Sequence, residues 1–268
     1  MNSNELLDIA TQAALDALQL IKDYRGELAR TIETKSSTTD MVTALDRACE
    51  ERIRQTISSY RPGDGFIGEE SGEYAGGDTT WIVDPIDGTT NFVYGFPAYA
   101  VSIAAKEGSE NLCSVVLDLP HEVLFTAKRG KGAHRNGSEL RLRSTKELDQ
   151  ALVATGFSYQ PAKRRAQALA LSTVIAQVRD VRRTGAASLD LVAVAGGQVD
   201  AYYEAGLKPW DYEGGRLIVQ EAGGKVGSLE TDQPTTEMTI ATNTTLFEPL
   251  QELLRAALAD YQTVTPSD

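Results

Sequence analysis

Apolar residues recur at helical spacing through two N-terminal stretches. In residues 4–29 they fall at Leu6, Ala10, Ala13, Ala17 and Ile21, and in residues 43–60 at Leu45, Cys49, Ile53 and Ile57. Steps of three and four residues put each set on one face, which predicts two amphipathic helices. Arg61-Pro62-Gly63-Asp64-Gly65 breaks the second, and the polar run from Glu33 to Asp40 between them reads as a loop. From Phe66 to about Arg143 the pattern is that of strands: FIGEE, WIVDP, AVSIAAK, LCSVVLDL and EVLFTAK, then a glycine-rich hairpin-like stretch, RGKGAHRNG. Short runs separated by turns predict an antiparallel or mixed sheet.

After about Asp149 the texture changes. The apolar runs ALVATGF, DAYYE, KVGSL and MTIAT alternate with helical segments near 161–177, 185–196, 211–222 and 246–260. Strands alternating with helices predict a layered α/β arrangement. The expected organisation is an N-terminal α+β half, residues 1–148, with a mostly antiparallel sheet, packed on a C-terminal α/β half, residues 149–268. No Pro/Ser/Gly-rich linker separates them, so the active site is expected in the cleft between the halves.

Composition narrows the function classes. The 268 residues carry a net charge of −12, which argues against a protein that binds nucleic acid by neutralising its phosphates. Two local basic clusters, Lys163-Arg164-Arg165 and Arg179 with Arg182 and Arg183, read as solvated surface. Cys49 and Cys113 read as buried apolar residues, which fits a reducing compartment and a cytoplasmic location. His121 and His134 lack partners at zinc spacing. No apolar run reaches the roughly eighteen residues of a membrane span, and the N-terminus is acidic and amphipathic rather than a basic signal peptide.

The most informative stretch is Trp81 to Pro97, WIVDPIDGTTNFVYGFP. An apolar strand delivers Asp84, and Asp87-Gly88-Thr89 follows as a turn that can open a helix. Two carboxylates three residues apart repel unless a cation lies between them. A hard divalent ion such as Mg²⁺ suits carboxylate oxygens and keeps positions for water and phosphate. Glu69 ends another strand, and Asp211 opens a helical segment after Lys208-Pro209, where an aspartate can also serve as a helix cap. Four such carboxylates suggest a two-metal phosphoesterase, although spacing alone does not bring Asp211 to the other three.

GEES (68–71), residues 81–97 and PWDYEGGRLIVQEAGG (209–224) resemble the inositol monophosphatase family, in the magnesium-dependent, lithium-sensitive phosphatase superfamily. KSSTTDMVTALD (35–46) and the run from Gly185 through DAYYEAGLKPWD (200–211) fit the same pattern, so the resemblance spans nearly the whole chain. It implies a layered αβαβα fold, a homodimer, two Mg²⁺ ions with a weaker third, and a small-molecule phosphate monoester as substrate; from the charge and the lack of a spanning run, no nucleic acid or membrane partner is expected. It implies that Glu69, Asp84 and the Ile86 carbonyl hold one ion, and Asp84, Asp87 and Asp211 the second. Thr89, hydrogen-bonded to Asp46, would orient the attacking water, with Glu69 as proton acceptor. Backbone N–H groups of Gly88 and Thr89 would hold the phosphate. Asp87, Glu204 and the backbone near Ala187 would meet sugar hydroxyls, and Lys35 lies in a loop that could close over the metals.

The chain departs from the family where Tyr212-Glu213-Gly214 follows Asp211 in place of small residues, which puts a pocket wall or the weakest metal in question. The resemblance implies, through Thr90-Asn91 where other branches of the superfamily carry a lysine, myo-inositol 1-phosphate over the alternatives of histidinol phosphate, fructose 1,6-bisphosphate and 3′-phosphoadenosine nucleotides. An alternative of another class is a regulatory protein that binds the transcription machinery.

Overall fold

The computed structural model describes residues 3–30 and 38–264. The two predicted N-terminal helices are α1 (Ser3–Arg30) and α2 (Thr38–Tyr60). α2 starts five residues before the apolar pattern does, because Thr and Asp suit a helix start although they look like a loop in sequence. Lys35 lies outside the described residues.

Next come β1 (Gly65–Gly68), β2 (Gly72–Tyr74), β3 (Thr79–Asp87), the short helix α3 (Thr89–Tyr94), β4 (Ala100–Glu107), β5 (Glu110–Asp118), β6 (Val123–Lys128), β7 (Ala133–Arg135) and β8 (Ser138–Glu139). They form one sheet in the order β2-β1-β3-β4-β5-β6-β7-β8. Only β1 and β3 pair in parallel. β2 escapes the apolar pattern because it is an edge strand whose three residues are all exposed.

A 3₁₀ turn at Leu148–Gln150 leads into β9 (Leu152–Thr155), α4 (Pro161–Ile175), β10 (Asp180–Arg182), α5 (Ala187–Ala195), β11 (Ala201–Glu204), α6 (Pro209–Glu221), β12 (Lys225–Gly227), β13 (Thr239–Thr242) and α7 (Phe247–Val264). The second sheet runs β10-β9-β11-β13-β12, parallel from β10 to β11 and antiparallel beyond.

Strand alternation sorts the core into three clusters and hence the fold into five layers. Trp81, Val83, Val101, Ile103, Val115 and Leu117 face Leu6, Ala13, Cys49 and Ile53 of α1 and α2. The opposite face of the first sheet, with Ala100, Val116 and Phe125, packs on Leu191 of α5 and Leu217 and Ile218 of α6. Those helices also cover Ala154, Tyr202 and Ala241 of the second sheet. The far face of that sheet, with Val153, Tyr203 and Ile240, packs on Val174 of α4 and Leu250 and Leu254 of α7. This is the expected αβαβα sandwich, with α5 and α6 as the middle layer. Both cysteines are buried and unpaired with each other. Among the described residues no helix is long and apolar enough to cross a membrane.

Candidate active site

A cavity of about 480 Å³ opens at the ends of β1, β3 and β11 and the starts of α3, α5 and α6. Glu69, Asp84, Ile86, Asp87, Gly88, Thr89, Ala187, Glu204 and Asp211 all line it. The fold therefore supplies what spacing could not: Asp211, 124 positions beyond Asp87, faces the same space.

Each side chain is held by its own element. Asp84 Oδ1 accepts the Ile86 N–H at 3.0 Å across the bulge that ends β3. Asp87 reaches the start of α5, where its carboxylate accepts the Ala187 N–H at 3.3 Å, the Ser188 N–H at 2.7 Å and the Ser188 hydroxyl at 2.5 Å. It therefore caps a helix a hundred residues away, and Ser188 is a site residue that the sequence reading missed. Asp211 Oδ2 accepts the Lys208 N–H at 2.6 Å, so one oxygen caps α6 while the carboxylate still lines the cavity. Gly88 stands at φ 89° before α3, and a Cβ there would lie 2.8 Å from the Ala98 carbonyl oxygen. The turn that follows Asp87 thus requires glycine.

Asp46 lies behind the cavity rather than on its wall. It is 3% exposed and its Oδ1 has no hydrogen-bond partner. The Thr89 hydroxyl donates to the Ile86 carbonyl at 3.1 Å and also stands within hydrogen-bonding reach of Asp46. A single hydroxyl proton serves one acceptor at a time, so Thr89 can turn between the two. Glu50, one turn beyond Asp46 on α2, is a second residue that sequence missed. Its carboxylate accepts the Glu70 and Ser71 N–H groups, each at 2.8 Å, and so fixes the turn that presents Glu69.

The carboxylates are short of compensating charge. Burial, followed by repulsion from neighbouring acids, pushes Asp46 up to about 8. Burial is also the leading cause that raises Asp211 to about 8 and Glu69 to about 7, and it moves Asp84 well above the usual carboxylate range. Asp87 rises less, to about 6, because Ser188 and Ala187 offset part of its desolvation. On the opposite wall burial raises Glu204 to about 7, and the Tyr202 hydroxyl donates to it at 2.8 Å.

Among the described residues, no three Asp, Glu, His or Cys side chains are gathered into a ready-made metal cage. Hydrogen bonds hold Asp87 to α5 and Asp211 to α6, so these acids face a common space from different directions. The donor set nonetheless fits Mg²⁺. It consists of carboxylate oxygens and one carbonyl around a cavity, and Mg²⁺ takes one or two carboxylates with water and phosphate completing its octahedron.

Two sequence expectations are revised, those for Tyr212-Glu213 and for Arg183. Tyr212 and Glu213 do not line the cavity. Both are buried, and Glu213 points to the first sheet, where it pairs with Lys106 at 2.5 Å and Arg216 at 3.2 Å. Asn91 is also absent from the cavity wall; its amide donates to the Ala98 and Thr184 carbonyls at 2.7 and 2.9 Å and ties α3 to the approach of α5. Arg183, read as solvated surface, lines the cavity. It escaped because a basic cluster carries no signal of which member turns inward.

The inositol monophosphatase family model matches residues 2–263. The inositol-1-monophosphatase SuhB of Mycobacterium tuberculosis is 42% identical over 240 residues, 82% of this chain and 83% of that protein. The Nus factor SuhB of Escherichia coli is 42% identical over 231 residues, 84% of this chain and 85% of that protein. The solved inositol monophosphatase from Anabaena superposes with a TM-score of 0.84 at 34% identity, over 96% of this chain and 97% of that one. By sequence, fold and the carboxylate-lined cavity, the chain belongs to the inositol monophosphatase family, a family of phosphatases.

Proposed function

We propose that this protein hydrolyses the phosphate monoester of a polyol in a Mg²⁺-dependent reaction, with myo-inositol 1-phosphate as its leading substrate. The observation that carries this reading is the convergence of Glu69, Asp84, Asp87 and Asp211 on one cavity whose other wall holds Glu204. Mg²⁺, when bound by Glu69, Asp84, Asp87, Asp211 and the Ile86 carbonyl, supplies positive charge to the phosphate and acidifies a water molecule.

The chain's own residues do the rest. Thr89 orients the attacking water through its hydroxyl, and Asp46 behind it sets the direction of that hydroxyl. Glu69 accepts the proton of the water. The backbone at Gly88 and Thr89 holds the phosphate in line for displacement, where positioning outweighs covalent chemistry. Glu204, the backbone at Ala187 and Asp87 orient the hydroxyls of the leaving alcohol.

The test is a Mg²⁺-dependent phosphate-release assay against myo-inositol 1-phosphate, histidinol phosphate, fructose 1,6-bisphosphate and a 3′-phosphoadenosine nucleotide. The inositol ester should turn over fastest. Rapid turnover of histidinol phosphate beside an inert inositol ester would overturn the substrate assignment. Li⁺ should inhibit, since the departure at Tyr212-Glu213 stays away from the cavity; a flat Li⁺ titration at fixed Mg²⁺ would contradict this.

A second reading, a role in transcription, draws on the likeness to a protein called a Nus factor. Co-purification of RNA polymerase with the tagged chain, retained by Asp84→Asn, would favour it as an activity separate from hydrolysis.

A further inference from the structure

Beside the carboxylates, two chain segments wall the cavity: 157–160, between β9 and α4, and 204–207, between β11 and α6. β9 and β11 run side by side in parallel, and their pairing gives out at Thr155 and Tyr203, where the cavity begins. Gln167, on the second turn of α4, takes over from there. Its Oε1 accepts the Ser158 N–H at 2.7 Å, and its Nε2 donates to the Ala205 carbonyl at 3.2 Å. A carboxamide has one accepting end and one donating end, so these two partners leave it a single orientation. The side chain does what a peptide group does in a sheet: it takes the N–H of one segment and serves the carbonyl of the next. Gln167 itself does not line the cavity.

What this tie positions is Glu204. Gly156 lies against it, since a Cβ on Gly156 would overlap the Glu204 carboxylate. The Tyr202 hydroxyl holds the same carboxylate at 2.8 Å. Glu204 is therefore fitted between the 156–160 loop and its own strand, and the distance of that loop from Ala205 sets the width of the opening in front of it. Arg164 also grips the loop, donating to the Ser158 and Tyr159 carbonyls at 2.9 and 3.1 Å, but it is exposed and does not reach Ala205. Behind the loop a gap of about 30 Å³, bordered by Phe157, Gln167, Ala170, Met238 and Leu254, leaves room to fall back once the amide lets go.

We propose that Gln167 is a specificity-setting positioning residue: its amide fixes the spacing between the 156–160 loop and the Glu204-Ala205 wall, and so matches the cavity to a ring-sized polyol. This inference rests on the phosphatase reading of the same cavity, with Glu204 meeting the leaving alcohol, and adds the residue that holds that wall in place. A small alcohol does not span the opening and is indifferent to its width; a ring that touches both sides is not.

The experiment measures kcat and KM for myo-inositol 1-phosphate and glycerol 2-phosphate at saturating Mg²⁺ on wild type, Gln167→Met, Glu204→Gln and the double variant. Gln167→Met keeps the length and the apolar stem and removes both hydrogen bonds; the position is half-buried, so the fold should survive. KM for the inositol ester should rise about 3- to 10-fold, the worth of one or two neutral hydrogen bonds, with kcat within about twofold. Both constants for the glycerol ester should stay within about twofold. In the Glu204→Gln background the same substitution should raise KM less than about twofold, because the contact it serves is already weakened. Equal losses on the two esters, a fall in kcat at constant KM, or the full KM effect without the Glu204 carboxylate would overturn the proposal. So would a lowered melting temperature with both KM values unchanged, which would make Gln167 a structural clasp only. Failure of the underlying reading looks different: wild type would then release phosphate from neither ester, and the positioning role would fall with it.

Discussion

At the scale of single residues, the site is a set of buried acids held against their preference. Asp84 is 2% exposed, and both burial and its acidic neighbours disfavour its charge. Asp84→Asn removes that charge but keeps an oxygen to accept the Ile86 N–H. The variant should therefore fold, melt at or above the wild-type temperature without metal, and lose turnover by about 100-fold or more, since a charge aimed at the reacting centre is gone. Near-normal turnover would refute its role as a ligand. Glu204 allows a pH test. Its folded value of about 7 lies above the ordinary 4.5, so the folded protein binds its proton more tightly than the unfolded chain. Its contribution to stability is complete below about 4.5 and is lost as pH rises through about 7. Glu204→Gln, a permanent neutral isostere that can still accept from Tyr202, should match wild type at pH 5 and exceed it by about 2 kcal/mol at pH 8. Thermal melts at the two pH values check this; equal differences at both would show that the carboxylate does not carry the effect. The same variant should raise KM for a polyol phosphate, because the site and stability want different side chains there.

At the scale of elements, the active site depends on how helices are pinned to sheets. Asp87 caps α5, and Glu213 and its partners pin α6. Lys106 from β4 and Arg216 from α6 both pair with Glu213, and the Asn111 amide donates to the Glu213 carbonyl at 2.8 Å. Gln233 accepts from the other end of Arg216. Asp211 starts the same helix two residues earlier, so this buried network holds its height above the first sheet. Lys106→Met should leave Glu213 with one cation fewer and cost about 3 kcal/mol, the usual penalty for breaking a buried pair. It should also weaken Mg²⁺ binding measured by calorimetry, although Lys106 does not line the cavity; unchanged Mg²⁺ affinity in the destabilised variant would make the network purely structural. These elements also mark where sequence was readable. The amphipathic helices, the long alternating strands and the Asp84–Thr89 turn declare themselves by period and by glycine. β2 and β10 do not, because they are three-residue edges with no buried alternation. Ser188 and Glu50 were hidden for another reason: each acts through a partner far along the chain, and no local pattern encodes which polar residue points inward. Glu213 shows the converse, since a residue two places from the cavity-lining Asp211 in sequence points away from the cavity.

At the scale of the whole molecule, the cavity joins layers that otherwise touch through the middle helices. The first sheet contributes Asp84 and Asp87, its strand end Glu69, α6 contributes Asp211, and the second sheet contributes Glu204. Bringing these acids together works against folding, because each must either keep its proton or stand charged beside others. Their folded values, about 6 for Asp87, about 7 for Glu69 and about 8 for Asp211, lie above the ordinary range. The stability they contribute as protonated acids is present near pH 4 and is lost as pH rises through about 6 to 8. Metal-free protein should therefore melt progressively lower from pH 5 to pH 8. On the proposed reading Mg²⁺ would bind the ionised acids, so its effect should run the opposite way: protons would compete with it strongly at pH 5 and far less at pH 8. A ligand at 100 times its dissociation constant stabilises the folded state by about 2.7 kcal/mol. In a chain of this size that corresponds to a rise of roughly 5–10 °C in Tm. Saturating Mg²⁺ should produce a shift of that size at pH 8, a much smaller one at pH 5, and almost none in Asp84→Asn at either. An Mg²⁺-induced shift that is independent of pH would mean that the cation binds elsewhere than among these acids. A shift retained by Asp84→Asn would leave Asp211 and Asp87 as ligands without the bridging carboxylate between them.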